Sequence, residues 1–240
     1  MLSILVFLYH LYDLVASFSI YHYHKSMKLI FTFSSLTLLF SLISPPVLAE
    51  NPAQLQQLLK TKKCIGCDLR QVKLSNVDLS NADLENANLT GAVLDRVNLK
   101  NANLTKANLS GMMANYANFI KANLKESELV NVSFSYSNLS QADLSNSDLN
   151  RMRANYSKFV RANLSKADFN GTSFDRSDLS YANLTFGKLE QATFTNTKMR
   201  GVDLTNAELC PSSIQVAPYC ANLSSADLTD IKGLESGFVP

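Results

Sequence analysis

Between Leu69 and Leu209 an apolar residue stands at every fifth position, in unbroken register, for about 29 positions. Only Ala114 and Ala154 among these centres are not Leu, Phe or Met. Two residues before most centres sits a compact side chain, as at Ala82, Ala87, Ala102 and Ala107. The residue between the two is most often Asp or Asn, as at Asp83, Asn88, Asn103 and Asn108. A period of five matches neither the 3.6 of a helix nor the 2 of a strand. Two inward positions flanking one outward residue fit a short extended segment, and the surrounding Asn, Asp, Ser and Gly supply the turn after it. One such unit cannot bury a core, so the units must stack on one another.

The triplets Ala82-Asp83-Leu84, Ala102-Asn103-Leu104, Ala122-Asn123-Leu124 and Ala142-Asp143-Leu144 resemble the A-(D/N)-L-x-x motif of the pentapeptide-repeat family. The resemblance implies an all-β fold, a right-handed quadrilateral β-helix with four pentapeptides per coil. Residues twenty apart should then form columns at about 4.8 Å, the ladder spacing. The sequence carries this longer period too. The column Leu84, Leu104, Leu124, Leu144, Leu164, Leu184, Leu204 is pure Leu, and every residue preceding these is Asp or Asn. The column Leu74, Leu94, Ala114, Phe134, Ala154, Phe174, Phe194 is irregular. Where its centre shrinks to Ala, the other inward residue grows to Met, at Met112 and Met152, as expected if the two share one packed interior.

The remaining segments divide as follows. Residues 27–49 read as a secretory signal: Lys28 gives the positive start, an apolar run follows from Leu29 to about Ile43, and Val47-Leu48-Ala49 suits a signal peptidase that would leave Glu50 first. Residues 1–26 are apolar but interrupted by His10 and Asp13. They are read as an upstream extension before a start at Met27, the alternative being a membrane-anchored precursor. Residues 50–66 form a short N-terminal capping helix and linker, with Asn51 as N-cap, Pro52 at the first position and the helix over 52–62. The repeats occupy 67–209, a loop insertion with Pro211 and Pro218 occupies 210–220, terminal repeats 221–230 and a tail 231–240.

Composition narrows the chemistry. The chain holds 22 Lys and Arg against 20 Asp and Glu. Losing residues 1–49 removes Lys25, Lys28 and Asp13 and leaves a formal charge of +1. Such a balance argues against nucleic-acid binding and against an acidic mimic of DNA, the trait by which some cytosolic relatives inhibit gyrase. The histidines, His10, His22 and His24, all precede the cleavage point, which leaves no imidazole for Ser-His or Cys-His catalysis or for a His-ligated metal. Cys64 and Cys67 form one local pair and Cys210 and Cys220 another. In an exported protein an even count favours disulfides, and about seven coils between the pairs argue against a shared metal site. A thiol-disulfide redox role for Cys64 and Cys67 is the sharper alternative. It lacks the βαβ context of thioredoxin-like motifs. Asn-x-Ser/Thr triplets and carboxylates five apart are by-products of the repeat.

The irregular side carries the candidate site. Two residues after its centres stand Arg96, Tyr116, Tyr136, Tyr156 and Arg176, each twenty from the next, with the apolar Met113 beside them. Stacked coils would align these into one outward row of residue types common at interface hot spots. Aromatic rows also stabilise stacked strands in their own right. The expectation is therefore a non-enzymatic, exported structural or protein-interaction module without cofactor or metal, in the periplasm or thylakoid lumen. It would have a protein partner, no nucleic acid, and no membrane attachment once the signal is removed.

Overall fold

Each pentapeptide folds the same way because three local needs coincide. In the unit centred on Leu84, the preceding Asp83 bridges in parallel to Lys63 on one side and Asn103 on the other. Leu84 donates its N–H to Asn103 O (2.7 Å), and Asn103 donates to Ala82 O (2.8 Å). The chain then turns, with Ala87 N–H returning to Leu84 O at 3.0 Å. The third residue of that turn, Asn86, has φ 55°, the left-handed region where Asn is at home. The Asp or Asn before the centre secures the turn through its side chain: Thr105 donates its N–H to Asn103 Oδ1 at 3.2 Å. It also links coils, since Asn103 Nδ2 donates to Asp83 Oδ1 (3.1 Å) and Asn163 Nδ2 to Asp143 Oδ1 (3.0 Å). The A-(D/N)-L pattern thus encodes an inward residue, a turn-securing acceptor and a second inward residue.

The structure, a computed structural model, describes residues 51–210 and 219–233. The expected extension 1–26, the signal 27–49 with its cleavage before Glu50, Pro211 and Pro218 of the loop, and residues 234–240 of the tail lie outside the described residues. Parallel bridges join residues twenty apart throughout, from Lys63↔Asp83 to Lys188↔Glu208. Four bridges per coil make four sides. Side 1 runs through Leu84 and its column, side 2 through Leu89, side 3 through Leu94 and side 4 through Leu99. The centres from Leu69 to Leu204 are all buried and form one core with the compact residues two before them. On side 3, Met112 and Ala114, like Met152 and Ala154, are fully buried together, whereas Phe134 accompanies Val132. Inward hydroxyls are satisfied: Ser137 Oγ donates to Ala114 O (2.7 Å) and Ser157 Oγ to Phe134 O (2.6 Å).

Helix α1 (Pro52–Thr61) precedes the coils. Asn51 caps it, accepting from Gln54 N–H at 3.2 Å, and Pro52 occupies the first turn, where no N–H is needed. Leu55 and Leu58 are its buried residues. Gln54 Oε1 accepts from Asp68 N–H at 2.7 Å, tying helix to coil.

The ladder extends further at both ends than the Leu/Phe/Met series indicated. It begins at Lys63, four residues before 67, because Cys64 fills the first inward position of side 1 and is fully buried. At the far end, partners twenty apart give way to partners twenty-nine apart: Thr193↔Asn222, Lys198↔Asp227 and Asp203↔Lys232. The chain leaves the coil near Cys210, after Glu208 on side 2, and resumes with Asn222 on side 3, Ala221 N–H closing the corner on Leu209 O at 2.7 Å, so the order of the sides is kept. The last bridge, at Lys232, lies inside the segment read as tail. Gly233 makes the final turn possible, with φ +77° and its backbone so close to Leu204 and Thr205 that a Cβ would sit 2.4 Å from Thr205 N.

Candidate functional site

Arg96, Tyr116, Tyr136, Tyr156 and Arg176 all occupy the third residue of the turn between sides 3 and 4. Their φ angles lie at 58°, 58°, 62°, 60° and 60°. The left-handed backbone projects each side chain outward at the corner, and the coil rise sets each one over the last. Tyr116 and Tyr136 stack with ring centroids 5.0 Å apart and planes within 7°; Tyr136 and Tyr156 stack at 4.8 Å and 3°. Arg96 lies over the outer face of Tyr116 and Arg176 over that of Tyr156, each guanidinium carbon 5.5 Å from the ring centre. Arg176 Nη1 also donates to the Tyr156 hydroxyl. The result is a five-layer stack, Arg-Tyr-Tyr-Tyr-Arg, whose ring faces are all covered and whose edges and hydroxyls face solvent. The tyrosines are 56%, 50% and 43% exposed.

A second column runs beside the first, one residue earlier in each turn: Asp95, Asn115, Ser135, Asn155, Asp175. Asp95 Oδ1 accepts from Asn115 N–H (2.8 Å) and Nδ2 (3.1 Å), and Asp175 Oδ1 accepts from Thr195 N–H (2.9 Å). Ser133 Oγ donates to Asn115 Oδ1 and Ser173 Oγ to Asn155 Oδ1, at 2.7 and 2.6 Å. Between the columns lies a groove of about 260 Å³, lined by Asp95, Arg96, Asn115, Tyr116, Ser135 and Tyr136. Met113 stands exposed on the flat of side 3 and is not part of the stack or of the groove lining. Among the described residues neither Arg96 nor Arg176 forms an ion pair.

The cysteines fall into the two local pairs. Cys64 and Cys67 lie with Cα atoms 5.3 Å apart, and Cys210 and Cys220 with Cα atoms 4.1 Å apart, both within reach of a disulfide. The first pair is enclosed, at 0% and 4% exposure. Carboxylates with altered acidity are bridge residues whose side chains reach the following turn, where hydrogen bonds stabilise the anion: the Ser80 amide draws Asp78 down to about 2, and the Arg70 guanidinium lowers Asp68. The Thr205 and Thr229 hydroxyls lower Asp203 and Asp227. Among the described residues, no three His, Cys, Asp or Glu side chains gather in a way that could hold a metal ion. No helix among them is long and apolar enough to cross a membrane.

A second exposed aromatic group escaped the sequence reading. Tyr181 and Phe186 occupy the same left-handed turn position on the next two corners (φ 62° and 58°), and both are exposed. The Arg161 guanidinium lies 6.0 Å from the Tyr181 ring centre, one coil away. A single aromatic per column leaves no row to notice. The signal that could have found them is a bulky ring where Asn, Gly or Lys is usual.

No curated protein matches the chain. Among solved structures, it is similar to HetL, a pentapeptide repeat protein involved in heterocyst differentiation regulation from the cyanobacterium Nostoc sp. strain PCC 7120. Identity there is 23%, covering 76% of this chain and 94% of that one, with a TM-score of 0.37. A pentapeptide repeat protein from the Arabidopsis thaliana thylakoid lumen is 28% identical over 39% of this chain and 65% of that one, with a TM-score of 0.35. QnrB1, a plasmid-mediated fluoroquinolone resistance protein, is 18% identical over 69% and 91%, with a TM-score of 0.29. The family model for pentapeptide repeats matches in eight copies, at residues 63–99, 73–111, 115–151 and 157–196, which together span more than half of the sequence. With a repeat ladder at twenty-residue spacing and that match, the chain belongs to the pentapeptide-repeat family.

Proposed function

We propose that this is an exported, non-enzymatic interaction module that engages a protein partner through the Tyr/Arg strip between sides 3 and 4, its coils closed at the N-terminal end by α1 and held by two disulfides. The observation that carries the reading is the backbone conformation of the three stacked tyrosines. A non-glycine residue in the left-handed region costs roughly 1–2 kcal/mol, and Asn is the side chain that tolerates it best. Asn76 and Asn196 fill the same column above and below. Three tyrosines therefore cost about 3–6 kcal/mol. Two stacked pairs offset about 1–3 kcal/mol, and two exposed cation–π contacts about 1–2 kcal/mol. Stability alone is near break-even, so a row of rings is a poor choice for a merely structural corner. Tyr and Arg at a half-exposed, pre-ordered strip are well suited to binding.

Other readings are less well supported. The enclosure of Cys64 and Cys67 opposes thiol exchange with a macromolecular reductant, and a near-neutral charge opposes DNA mimicry. Two measurements test the proposal. Cross-linking in extracts of the source cells should capture a partner with the wild type and lose it with Tyr116→Asn/Tyr136→Asn/Tyr156→Asn, the fold remaining intact by circular dichroism; equal capture would sink the strip. The intact native mass should start at Glu50 and rise by about 4 units on reduction, the signature of a cleaved signal and two disulfides. An uncleaved chain with free thiols would refute export.

A further inference from the structure

Resting on the reading of the strip as an interaction surface, we infer that its partner is a second copy of this chain, packed side by side with the two coil axes parallel. The two adjacent columns are complementary rung by rung. Arg96 stands beside Asp95, Tyr116 beside Asn115, Tyr136 beside Ser135, Tyr156 beside Asn155 and Arg176 beside Asp175. A two-fold axis parallel to the coils and lying between the columns exchanges them between copies. Each Arg then faces the other copy's Asp, and each Tyr faces a small polar side chain. This is the reciprocity an isologous interface requires.

Shape and period agree with the charge pattern. The stacked rings form a ridge, and the groove beside them is lined by Asp95, Asn115 and Ser135 on its other wall. Over the rungs of Arg96, Tyr116 and Tyr136, the ridge of one copy lies in the groove of the other. Because both surfaces repeat at the same rung spacing, about 4.8 Å, the five contacts are in register over a strip roughly 19 Å long. A partner with a different repeat, such as a peptide extended along the axis, would drift out of step. The charges are also available. One oxygen of each Asp is held by the next coil's N–H, and the arginines lie over rings with no carboxylate of their own chain in an ion pair among the described residues. The ring faces being covered, a ligand that stacks on aromatic faces finds none open. A five-rung contact belongs to the small class, under about 1,200 Å² in total, so the dimer forms in a concentration-dependent way.

The test uses the purified protein in sedimentation equilibrium. Wild type should shift from monomer to dimer as concentration rises, less so at high salt. Arg96→Asp/Arg176→Asp should weaken dimerisation by at least about tenfold, and so should Asp95→Lys/Asp175→Lys. Mixed in equal amounts, the two variants should restore a dimer. Should the lysine variant fail to fold, Asp95→Asn/Asp175→Asn keeps the acceptor oxygens and should still weaken the dimer. A wild type monomeric at every concentration, a dimer indifferent to the reversals, or a mixture that does not re-form it would overturn the inference. A monomer that still captures a tyrosine-dependent partner overturns this inference alone, whereas neither dimer nor capture overturns the interaction strip as well.

Discussion

Replacing Tyr136, the middle ring, with Asn separates a corner built for binding from one built for stability. The substitution removes both stacking contacts, at 5.0 and 4.8 Å, worth about 1–3 kcal/mol together. It also relieves a backbone held at φ 62°, worth about 1–2 kcal/mol because Asn visits that region readily. The two effects nearly cancel, and the expected change in unfolding free energy lies between about 2 kcal/mol lost and about 1 kcal/mol gained. Tyr136→Ala loses the same stacks without the relief, so it should be less stable than Tyr136→Asn by about 1–2 kcal/mol. Urea unfolding followed by circular dichroism reads both, with an unchanged slope confirming that the same surface unfolds. A loss above about 3 kcal/mol for the Asn variant, or Ala equal to Asn, would refute the reasoning and make the ladder a structural staple.

Three further expectations follow from the packing and the turns. Ala154→Phe alone overfills side 3 and should cost about 1–3 kcal/mol; adding Met152→Val reproduces the Phe134–Val132 pair and should recover much of it, a coupling that a double-mutant cycle would measure. Gly233→Ala places a Cβ 2.4 Å from Thr205 N at φ +77°, so residues 221–232 should lose hydrogen-exchange protection while the central coils keep theirs. The lowered acidities of Asp68, Asp78, Asp203 and Asp227 contribute stability that is complete above the unfolded carboxylate value, about 3.9. That contribution falls away as pH drops through the folded values, about 2 for Asp78. Thermal unfolding between roughly pH 4 and pH 2 should show the decline, and Asp78→Asn should flatten part of it.

The architecture was legible because the coil length is constant. Once Leu84, Leu104 and Leu124 are seen to recur at twenty, neighbouring coils repeat one geometry and a one-dimensional period becomes a three-dimensional column. The volume exchange of Met112 for Ala114 was readable for the same reason, since both side chains fill one fixed cross-section. The ends were harder: Cys64 and Lys232 belong to the ladder, yet neither fits a pattern of large apolar centres, because a terminal rung has a neighbour on one side only. At the candidate site, the alignment of Arg96, Tyr116, Tyr136, Tyr156 and Arg176 follows from spacing. Their left-handed backbone, the covering of every ring face, and the groove beside Asp95, Asn115 and Ser135 do not. Those depend on how an exposed side chain at a turn settles against the coil above and below it. That balance of stacking, strain and solvation is set between coils, where sequence distance carries no information about rotamer or ring plane.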